Sequence, residues 1–243
     1  MNELNLHSEL NPLVALESYD SREALEQFLC ERIVERLSEG LEARGEAVLV
    51  VSGGRTPAAL FQRLSQQPLD WSKVIVTLAD ERWVDNQHDD SNERSVRTHL
   101  LQNQAAAARF LPLYNGAETP VAGQAELERE LAVLPEKIDA VILGMGEDGH
   151  TASFFPDAEE LGRALEPLPA VACAAVTPPV APWPRMTLTL PRLLASHAIY
   201  VHLCGESKLP VLQQALEQGA VEAMPIRSVL RQSQTPVAIC WAP

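Results

Sequence analysis

The segment Asp139–Pro156 constrains this chain most, because a short apolar run is followed at once by a glycine-rich loop. The run Ala140–Leu143 is bounded by turn residues and predicts a strand that is buried on both faces. The loop Gly144–His150 contains three glycines, which allow left-handed or crowded backbone conformations. Ligands bind at the carboxyl ends of strands in open α/β sheets. The segment therefore predicts a ligand site at this loop.

Two side chains on this loop carry chemistry. Asp148 and His150 are two residues apart, and an acid beside an imidazole suits general acid–base catalysis. A structural loop, in which local hydrogen bonds satisfy His150, is the alternative that the residues alone leave open.

The same loop contains the Gly-x-Gly-x-x-Gly spacing of the dinucleotide-binding fingerprint, which is a weak signal by itself. That fingerprint needs a long helix that begins among the glycines, whereas Pro156 would end such a helix early. The acidic side chains of Glu147 and Asp148 would also face the pyrophosphate. Both features argue against dinucleotide binding.

Composition indicates one globular unit. The chain has 243 residues, of which 46% are hydrophobic and 21% charged, so we expect a single domain spanning 1–243. Its four cysteines are far apart and form no CxxC pair, which is typical of buried thiols in a reducing compartment, although spacing alone leaves disulfides open.

The N-terminal residues lack the basic start and apolar core of a secretory signal, and the apolar runs are strand-sized. We expect a cytoplasmic protein with no membrane partner.

The net charge of −14 excludes one class of partner and restricts another. Non-specific nucleic-acid binding and docking on anionic lipid both depend on lysines and arginines, so neither is expected. An acidic chain that binds a small anion needs a local basic pocket. The positions of the few basic residues therefore matter.

A second strand end resembles an anion site. The apolar run Ala47–Val51 predicts a buried strand, and Ser52–Pro57 follows with two glycines. Thr56 is a natural N-cap and Pro57 a natural first residue of the next helix. Backbone N–H groups and the helix dipole at such a start favour an anion. An ordinary βα turn is the alternative, and the Lys-Ser/Thr ending of a Walker motif is absent.

A third strand end is acidic and basic at once. Lys73–Ala79 predicts a strand, and Asp80–Val84 places two acids and Arg82 at its carboxyl end, although a solvated loop can have the same composition. The polar stretch that follows could supply metal ligands from His88, Asp89 and Asp90. Solvated loops commonly look like this, so no metal is expected.

Two basic residues later in the chain are further candidates for binding an anion. Arg185 begins an alternating strand that runs to Leu190, and Lys208 lies in the first turn of the next helix. A cation is not favoured there by the dipole, so Lys208 either meets a bound anion or is simply solvated. His197 and His202 flank or interrupt a strand and are expected to be structural.

Strands alternate with helices through most of the chain, which predicts an α/β fold with a largely parallel sheet and helices on both faces.

Together these motifs resemble the 6-phosphogluconolactonase family. Four blocks in the family's order carry the resemblance, with Gly205–Lys208 downstream: SGGRTP at Ser52–Pro57, DERWV at Asp80–Val84 with Ser91-Asn92, GMGEDGHTASFFP at Gly144–Pro156, and RMTLTLPRLLASH at Arg185–His197. One departure is Asp85, where the family usually has proline. The resemblance implies a three-layer, Rossmann-like fold similar to glucosamine-6-phosphate deaminase.

The resemblance also implies an activity. The family hydrolyses 6-phospho-D-glucono-1,5-lactone to 6-phospho-D-gluconate, a step of the oxidative pentose phosphate pathway, without a metal or organic cofactor. His150 would activate a water as general base and then protonate the departing ring oxygen, which suits an imidazole because it exchanges a proton near neutral pH. Asp148 would orient His150 or bind the sugar, and Asp80 would bind sugar hydroxyls or position the water. Backbone N–H groups of the glycine loops are candidate oxyanion donors.

The phosphate would be held by a backbone cradle and by cations. Arginine gives bidentate phosphate contacts and lysine gives a point charge. Arg82 is a candidate for either the oxyanion or the phosphate. The expected phosphate ligands are Ser52, Gly53, Gly54, Arg55, Thr56, Arg185 and Lys208.

Two other functions stay open at this point. One is glucosamine-6-phosphate deaminase or another aldose–ketose isomerase on the same fold, although Arg82 stands where the deaminases usually have tyrosine. The other is a non-catalytic sugar-phosphate sensor, although no basic helix-turn-helix segment precedes residue 21. A monomer and a small homo-oligomer are both compatible with the sequence.

Overall fold

The computed structural model describes residues 11–166 and 171–243, and a parallel sheet lies at its centre. The described residues form ten strands: β1 (Val14–Ser18), β2 (Ala47–Val51), β3 (Val74–Leu78), β4 (Asp80–Arg82), β5 (Arg109–Leu111), β6 (Ala140–Leu143), β7 (Cys173–Val176), β8 (Arg185–Leu188), β9 (Ile199–Cys204) and β10 (Val237–Ala242). They also form eight α-helices: α1 (Arg22–Arg44), α2 (Ala58–Ser65), α3 (Asn92–His99), α4 (Pro120–Leu131), α5 (Leu161–Leu165), α6 (Leu190–Leu194), α7 (Lys208–Leu216) and α8 (Ile226–Leu230).

Seven strands form the main sheet in the order β1-β10-β9-β6-β2-β3-β5, and every pairing in it is parallel. Each residue of β2, β3 and β6 is buried, as expected for apolar runs in a sheet covered on both sides. The prediction of an α/β fold with a largely parallel sheet is confirmed.

A second, three-stranded antiparallel sheet was not predicted. Its order is β4-β8-β7, and β4 occupies the acidic and basic segment for which a solvated loop was the alternative. The register of β4 against β8 sets Asp80 opposite Thr187 and Arg82 opposite Arg185. The small sheet therefore brings two distant motifs side by side.

The helix ends follow local capping chemistry, with one correction. Ser21 precedes a run of apolar residues at helical spacing, which predicts an N-cap, and its side chain accepts a hydrogen bond from the backbone of Ala24 at the start of α1. Thr56 does not cap α2. Pro57 holds the N-cap position with helical angles (φ −81°, ψ −1°), and the entering turn is closed by the bond from the Ala58 N–H to the Arg55 carbonyl. The chain thus reaches the helical conformation after Thr56, whose side chain is left exposed.

Some sequence predictions extend beyond the described residues. The sequence predicts an irregular or short-strand lead-in at 1–20, a polar excursion at 157–170 and a strand at 170–176, and parts of these ranges, 1–10 and 167–170, lie outside the described residues. Across 11–166 and 171–243, no helix is both long enough and apolar enough to cross a membrane. All four cysteines lie in this described part, and none of them forms a disulfide.

Candidate active site

The site lies where the strand order of the main sheet reverses. From β2 the chain continues to β3 and β5 on one side, whereas β6 leads to β9 and β10 on the other. The loops that leave neighbouring strands at such a point diverge and open a crevice at the carboxyl ends. Here the two loops are Ser52–Pro57 and Gly144–His150, and the Ser52 N–H is bonded to the Ile142 carbonyl at 3.0 Å.

Two adjoining cavities occupy this crevice. The larger has a volume of about 430 Å³, and the predicted residues that line it are Ser52, Gly53, Asp80, Arg82, His150 and Arg185. The smaller has a volume of about 130 Å³, and the predicted residues that line it are Ser52, Gly53, Gly54, Arg55, Thr56 and Lys208. Ten of the eleven predicted site residues therefore meet in one crevice, and Ser52 and Gly53 lie at the junction. Asp148 lines neither cavity.

Asp148 instead contacts the ring of His150. Its Oδ1 lies 2.5 Å from Nδ1 of the imidazole and also accepts the backbone N–H of His150 at 3.1 Å. The hydrogen bond with His150 lowers the pKa of Asp148 to about 2, so this carboxylate is ionised at neutral pH. An ionised partner is an acceptor only, which places a proton on Nδ1 and leaves Nε2 for a substrate or water.

The position of the ring is fixed from two sides. The ring of Phe155 packs against the imidazole of His150 at 4.5 Å between centroids, with an angle of 31° between the planes. On another side, a Cβ at position 146 would lie 2.1 Å from Nδ1 and 2.6 Å from Oδ1 of Asp148. Only glycine at position 146 leaves room for the pair.

The loop is closed by its own backbone. The N–H of Gly146 is bonded to the carbonyl of His150 at 2.8 Å, and the N–H of Gly149 to the carbonyl of Gly146 at 3.2 Å. Gly149 has a left-handed φ of 77°. No helix begins in the loop, which differs from the dinucleotide-binding arrangement. These two N–H groups are occupied, whereas those of Gly53 and Gly54 donate no hydrogen bond to any described residue.

Asp80 is buried beside the segment that follows the loop Gly144–His150. Its Oδ2 accepts the hydroxyl of Ser153 at 2.6 Å, and its backbone carbonyl accepts the side-chain amide of Asn92 at 2.9 Å. The amide of Asn92 crosses the turn after β2 so closely that a Cβ on Gly53 would lie 2.0 Å from its Oδ1. These contacts join the ends of β2, β3 and β6.

Glu81 points away from the cavity and has a structural role. Its carboxylate accepts the backbone N–H groups of Asn92 and Glu93 at the start of α3, at 2.8 and 2.7 Å. Burial raises the pKa of Glu81 to about 7, and these backbone donors act in the opposite direction. An acidic side chain is favoured at a helix N-terminus.

The larger cavity is lined by residues with buried polar atoms that have no hydrogen-bond partner among the described residues. Arg185 is buried, burial lowers its pKa, and its Nε makes no hydrogen bond within the described residues. The hydroxyl of Ser52 is likewise buried without a described partner. Buried polar groups are nearly always hydrogen-bonded, so both atoms are available to a ligand. Arg82 shares the cavity and donates to the backbone carbonyl of Asp90.

The cations are divided between the two cavities. Lys208 and Arg55 line the smaller one, and the ammonium of Lys208 donates to the carbonyl of Met145 at 2.9 Å. His202 also lines the smaller cavity, and burial lowers its pKa to about 4. No group of three His, Cys, Asp or Glu side chains suited to a metal is found in 11–166 and 171–243. His88, Asp89 and Asp90, which could supply ligands by their sequence, form no such group.

Several residues of the site were missed by sequence reasoning. Phe155, Asn92 and Trp183 line the larger cavity, and Ser153 supports Asp80 from behind. Phe155 and Asn92 lie inside the sequence blocks that carry the family resemblance, so their position next to predicted site residues could have indicated them. Trp183 lies in a proline-rich loop and had no such signal.

A parallel α/β sheet with a His–Asp pair and clustered cations at its reversal point defines the class: an enzyme that acts on a small anionic substrate. More narrowly, the chain belongs to the family described as glucosamine-6-phosphate isomerases/6-phosphogluconolactonase, whose model matches residues 20–239.

Relatives within the family support this placement. A protein of Rhizobium meliloti named 6-phosphogluconolactonase is 44% identical over 225 residues, which cover 93% of this chain and 97% of the relative. A 6-phosphogluconolactonase of Pseudomonas aeruginosa is 41% identical and covers 95% of both chains.

Solved structures agree with this placement. A 6-phosphogluconolactonase from Shewanella baltica is 49% identical, with a TM-score of 0.93 and coverage of 96% of this chain and 100% of the other. A monomeric glucosamine-6-phosphate deaminase has a TM-score of 0.76 over 93% and 96% of the two chains, but at 18% identity that likeness shows the fold alone.

Proposed function

We propose that this chain hydrolyses 6-phospho-D-glucono-1,5-lactone to 6-phospho-D-gluconate, with His150 as the general base. The observation that carries the mechanism is the His150–Asp148 pair, whose imidazole faces a cavity shared with two arginines. The names of the relatives support the choice of substrate, because they cover nearly the whole chain.

The proposed reaction uses one histidine twice. Nε2 of neutral His150 takes a proton from a water, whose oxygen attacks the lactone carbonyl carbon. The resulting imidazolium then gives its proton to the ring oxygen as the C–O bond breaks, which leaves the carboxylic acid and a hydroxyl. The ionised carboxylate of Asp148 stabilises the imidazolium between these two steps.

The developing oxyanion needs donors in the same cavity. The N–H groups of Gly53 and Gly54, which have no described acceptor, and the guanidinium of Arg82 are the candidates. Asp80 keeps Oδ1 available for a sugar hydroxyl or for the water, since Oδ2 is taken by Ser153.

The phosphate is assigned to the junction of the two cavities. Ser52 and Gly53 line both, Arg185 approaches from the larger one, and Lys208 from the smaller. The hydroxyl of Ser52 and Nε of Arg185, which have no hydrogen-bond partner among the described residues, support this position. The rest of the turn, Gly54–Thr56, completes the cradle, and the sugar ring then extends into the larger cavity.

The test compares wild type with His150→Ala on lactone made in situ by oxidation of glucose 6-phosphate, after subtraction of spontaneous hydrolysis. Loss of general-base catalysis predicts a fall in kcat of about 10²–10⁴-fold. His197→Ala is the matched control, because this histidine is exposed and lies outside both cavities.

Each outcome has a distinct meaning. An inactive wild type contradicts the proposed substrate, and glucosamine 6-phosphate deamination would then be measured. An active wild type with an equally active His150→Ala variant keeps the substrate but removes His150 as the base.

A further inference from the structure

One wall of the larger cavity comes from a loop that the proposed reaction does not use. The segment 177–184 connects β7 to β8, and its residues Ala181, Pro182 and Trp183 line the cavity together with His150 and the two arginines. Trp183 is 41% exposed although it lines the cavity. It is one of few large apolar side chains left exposed among the described residues.

The indole of Trp183 is nevertheless held in place. Its Nε1–H donates to Oδ2 of Asp90 at 2.9 Å, and its ring meets the ring of His88 edge-on at 5.1 Å between centroids. Asp90 is in turn bonded through its carbonyl to Arg82. The tryptophan is thus connected to a residue of the proposed site across two separate loops.

Its backbone is strained. Trp183 has a φ of 69°, in the left-handed region that bulky side chains rarely adopt. Such a conformation is energetically costly, and residues that hold one cluster at active sites and ligand clamps. Pro182 and Pro184 restrict the chain on either side. Burial in a core does not explain this position, because the side chain is partly exposed.

We propose that Trp183 positions the substrate: the sugar ring of the lactone lies against its indole face while the phosphate occupies the Ser52–Gly53 junction. A pyranose ring presents C–H groups on its faces and hydroxyls around its edge. An aromatic face packs against the C–H groups, and the carboxylate of Asp90 beside it accepts hydroxyl hydrogens. This inference rests on the proposed function for the identity of the ring.

The kinetic test uses three variants of one loop. Trp183→Gly removes the indole and adopts the left-handed backbone without strain, and Trp183→Phe keeps an aromatic ring without the N–H. We expect Trp183→Gly to raise KM for the lactone by about tenfold or more, with kcat changed less than threefold. The indole would bind the sugar ring equally well in the ground state and in the transition state, and the loss of such a contact raises KM without lowering kcat. Val180→Ala, at a residue that is 91% exposed and outside the cavity, should change neither.

A binding test needs no turnover. Trp71, Trp83 and Trp241 line neither cavity, so the tryptophan fluorescence change on adding glucose 6-phosphate, which has the ring and the phosphate but no lactone carbonyl, should be largely lost in Trp183→Phe. Inorganic phosphate alone should not produce this change.

Three results would overturn the inference: an unchanged KM in Trp183→Gly, a fall in kcat shared by Val180→Ala, or a glucose 6-phosphate signal that survives in Trp183→Phe. If the wild type lacks lactonase activity, the proposed function fails. The fluorescence titration then still decides whether Trp183 contacts a sugar phosphate.

Discussion

Gly146 lies directly beneath the imidazole of His150, and Gly146→Ala is predicted to displace that ring. The added Cβ would lie 2.1 Å from Nδ1 and 2.2 Å from Cε1, whereas an ordinary contact needs at least 3.4 Å. The ring must therefore move by about 1.3 Å. Phe155 packs against one side of it, and Asp148 holds Nδ1 at 2.5 Å, so the movement disturbs at least one of these contacts.

The expected loss follows from that displacement. A misplacement of about 1 Å costs about 10²-fold in rate, and complete loss of general-base function costs up to about 10⁴-fold. This range corresponds to about 3–5 kcal/mol in the activation free energy. The assay is kcat on lactone generated in situ, with thermal unfolding measured on the same preparation.

A matched alanine substitution controls for the loss of a glycine. Gly162→Ala places a Cβ that has no atom of the described residues within 4 Å and lies in α5, so activity should be unchanged. Full activity in Gly146→Ala with a normal unfolding temperature would refute the reasoning, because the ring would then tolerate displacement. Equal losses in both variants would point to a general effect on folding.

Three further predictions concern the groups around this ring. Asp148→Asn should lower kcat by about 10²-fold or more, because an amide does not stabilise the imidazolium; steady-state kinetics measure it. Ser153→Ala leaves Oδ2 of Asp80 buried without its donor and should lower the free energy of unfolding by about 1–3 kcal/mol, measured in urea. The pKa of Glu81 rises from 4.5 to about 7 on folding, so the protonated side chain stabilises the folded state by up to about 3 kcal/mol. This stabilisation is fully present below pH 4.5 and is lost as the pH rises through 7.

Each of these has a control. Glu147→Gln changes an exposed acid on the same loop and should leave kcat unaffected. Ser72→Ala tests the same substitution at an exposed serine. For Glu81 the comparison is Glu81→Gln, which removes the titrating group. A stability difference between wild type and this variant that stays constant from pH 4.5 to 8 would contradict the assigned pKa.

Local patterns were sufficient to predict the parts of the site that follow a buried strand. The runs before Ser52 and Gly144 are apolar and short, and the loops after them contain glycine, so strand and loop were both evident. Sheet order then brings these loops together, since β2 and β6 are neighbours.

Non-local pairing explains what was missed. Asp80–Arg82 is too short and too polar for its own sequence to indicate a strand, and it becomes one only by pairing with a segment about a hundred residues away. The hydrogen bond between Trp183 and Asp90 likewise joins residues that are 93 positions apart. Composition and periodicity contain no information on such contacts.

The register of the small sheet has a consequence for the lifetime of the folded protein. Arg82 and Arg185 are directly opposite each other, and neither forms an ion pair with an acidic side chain in the described residues. Like charges across a strand pair oppose its formation, so an anion held beside them would relieve the repulsion. By linkage, a ligand at a hundred times its Kd adds about 2.7 kcal/mol to the free energy of unfolding. If the ligand is the sugar phosphate proposed above, its concentration would then influence how long each folded molecule resists unfolding and proteolysis, and not only how fast it works.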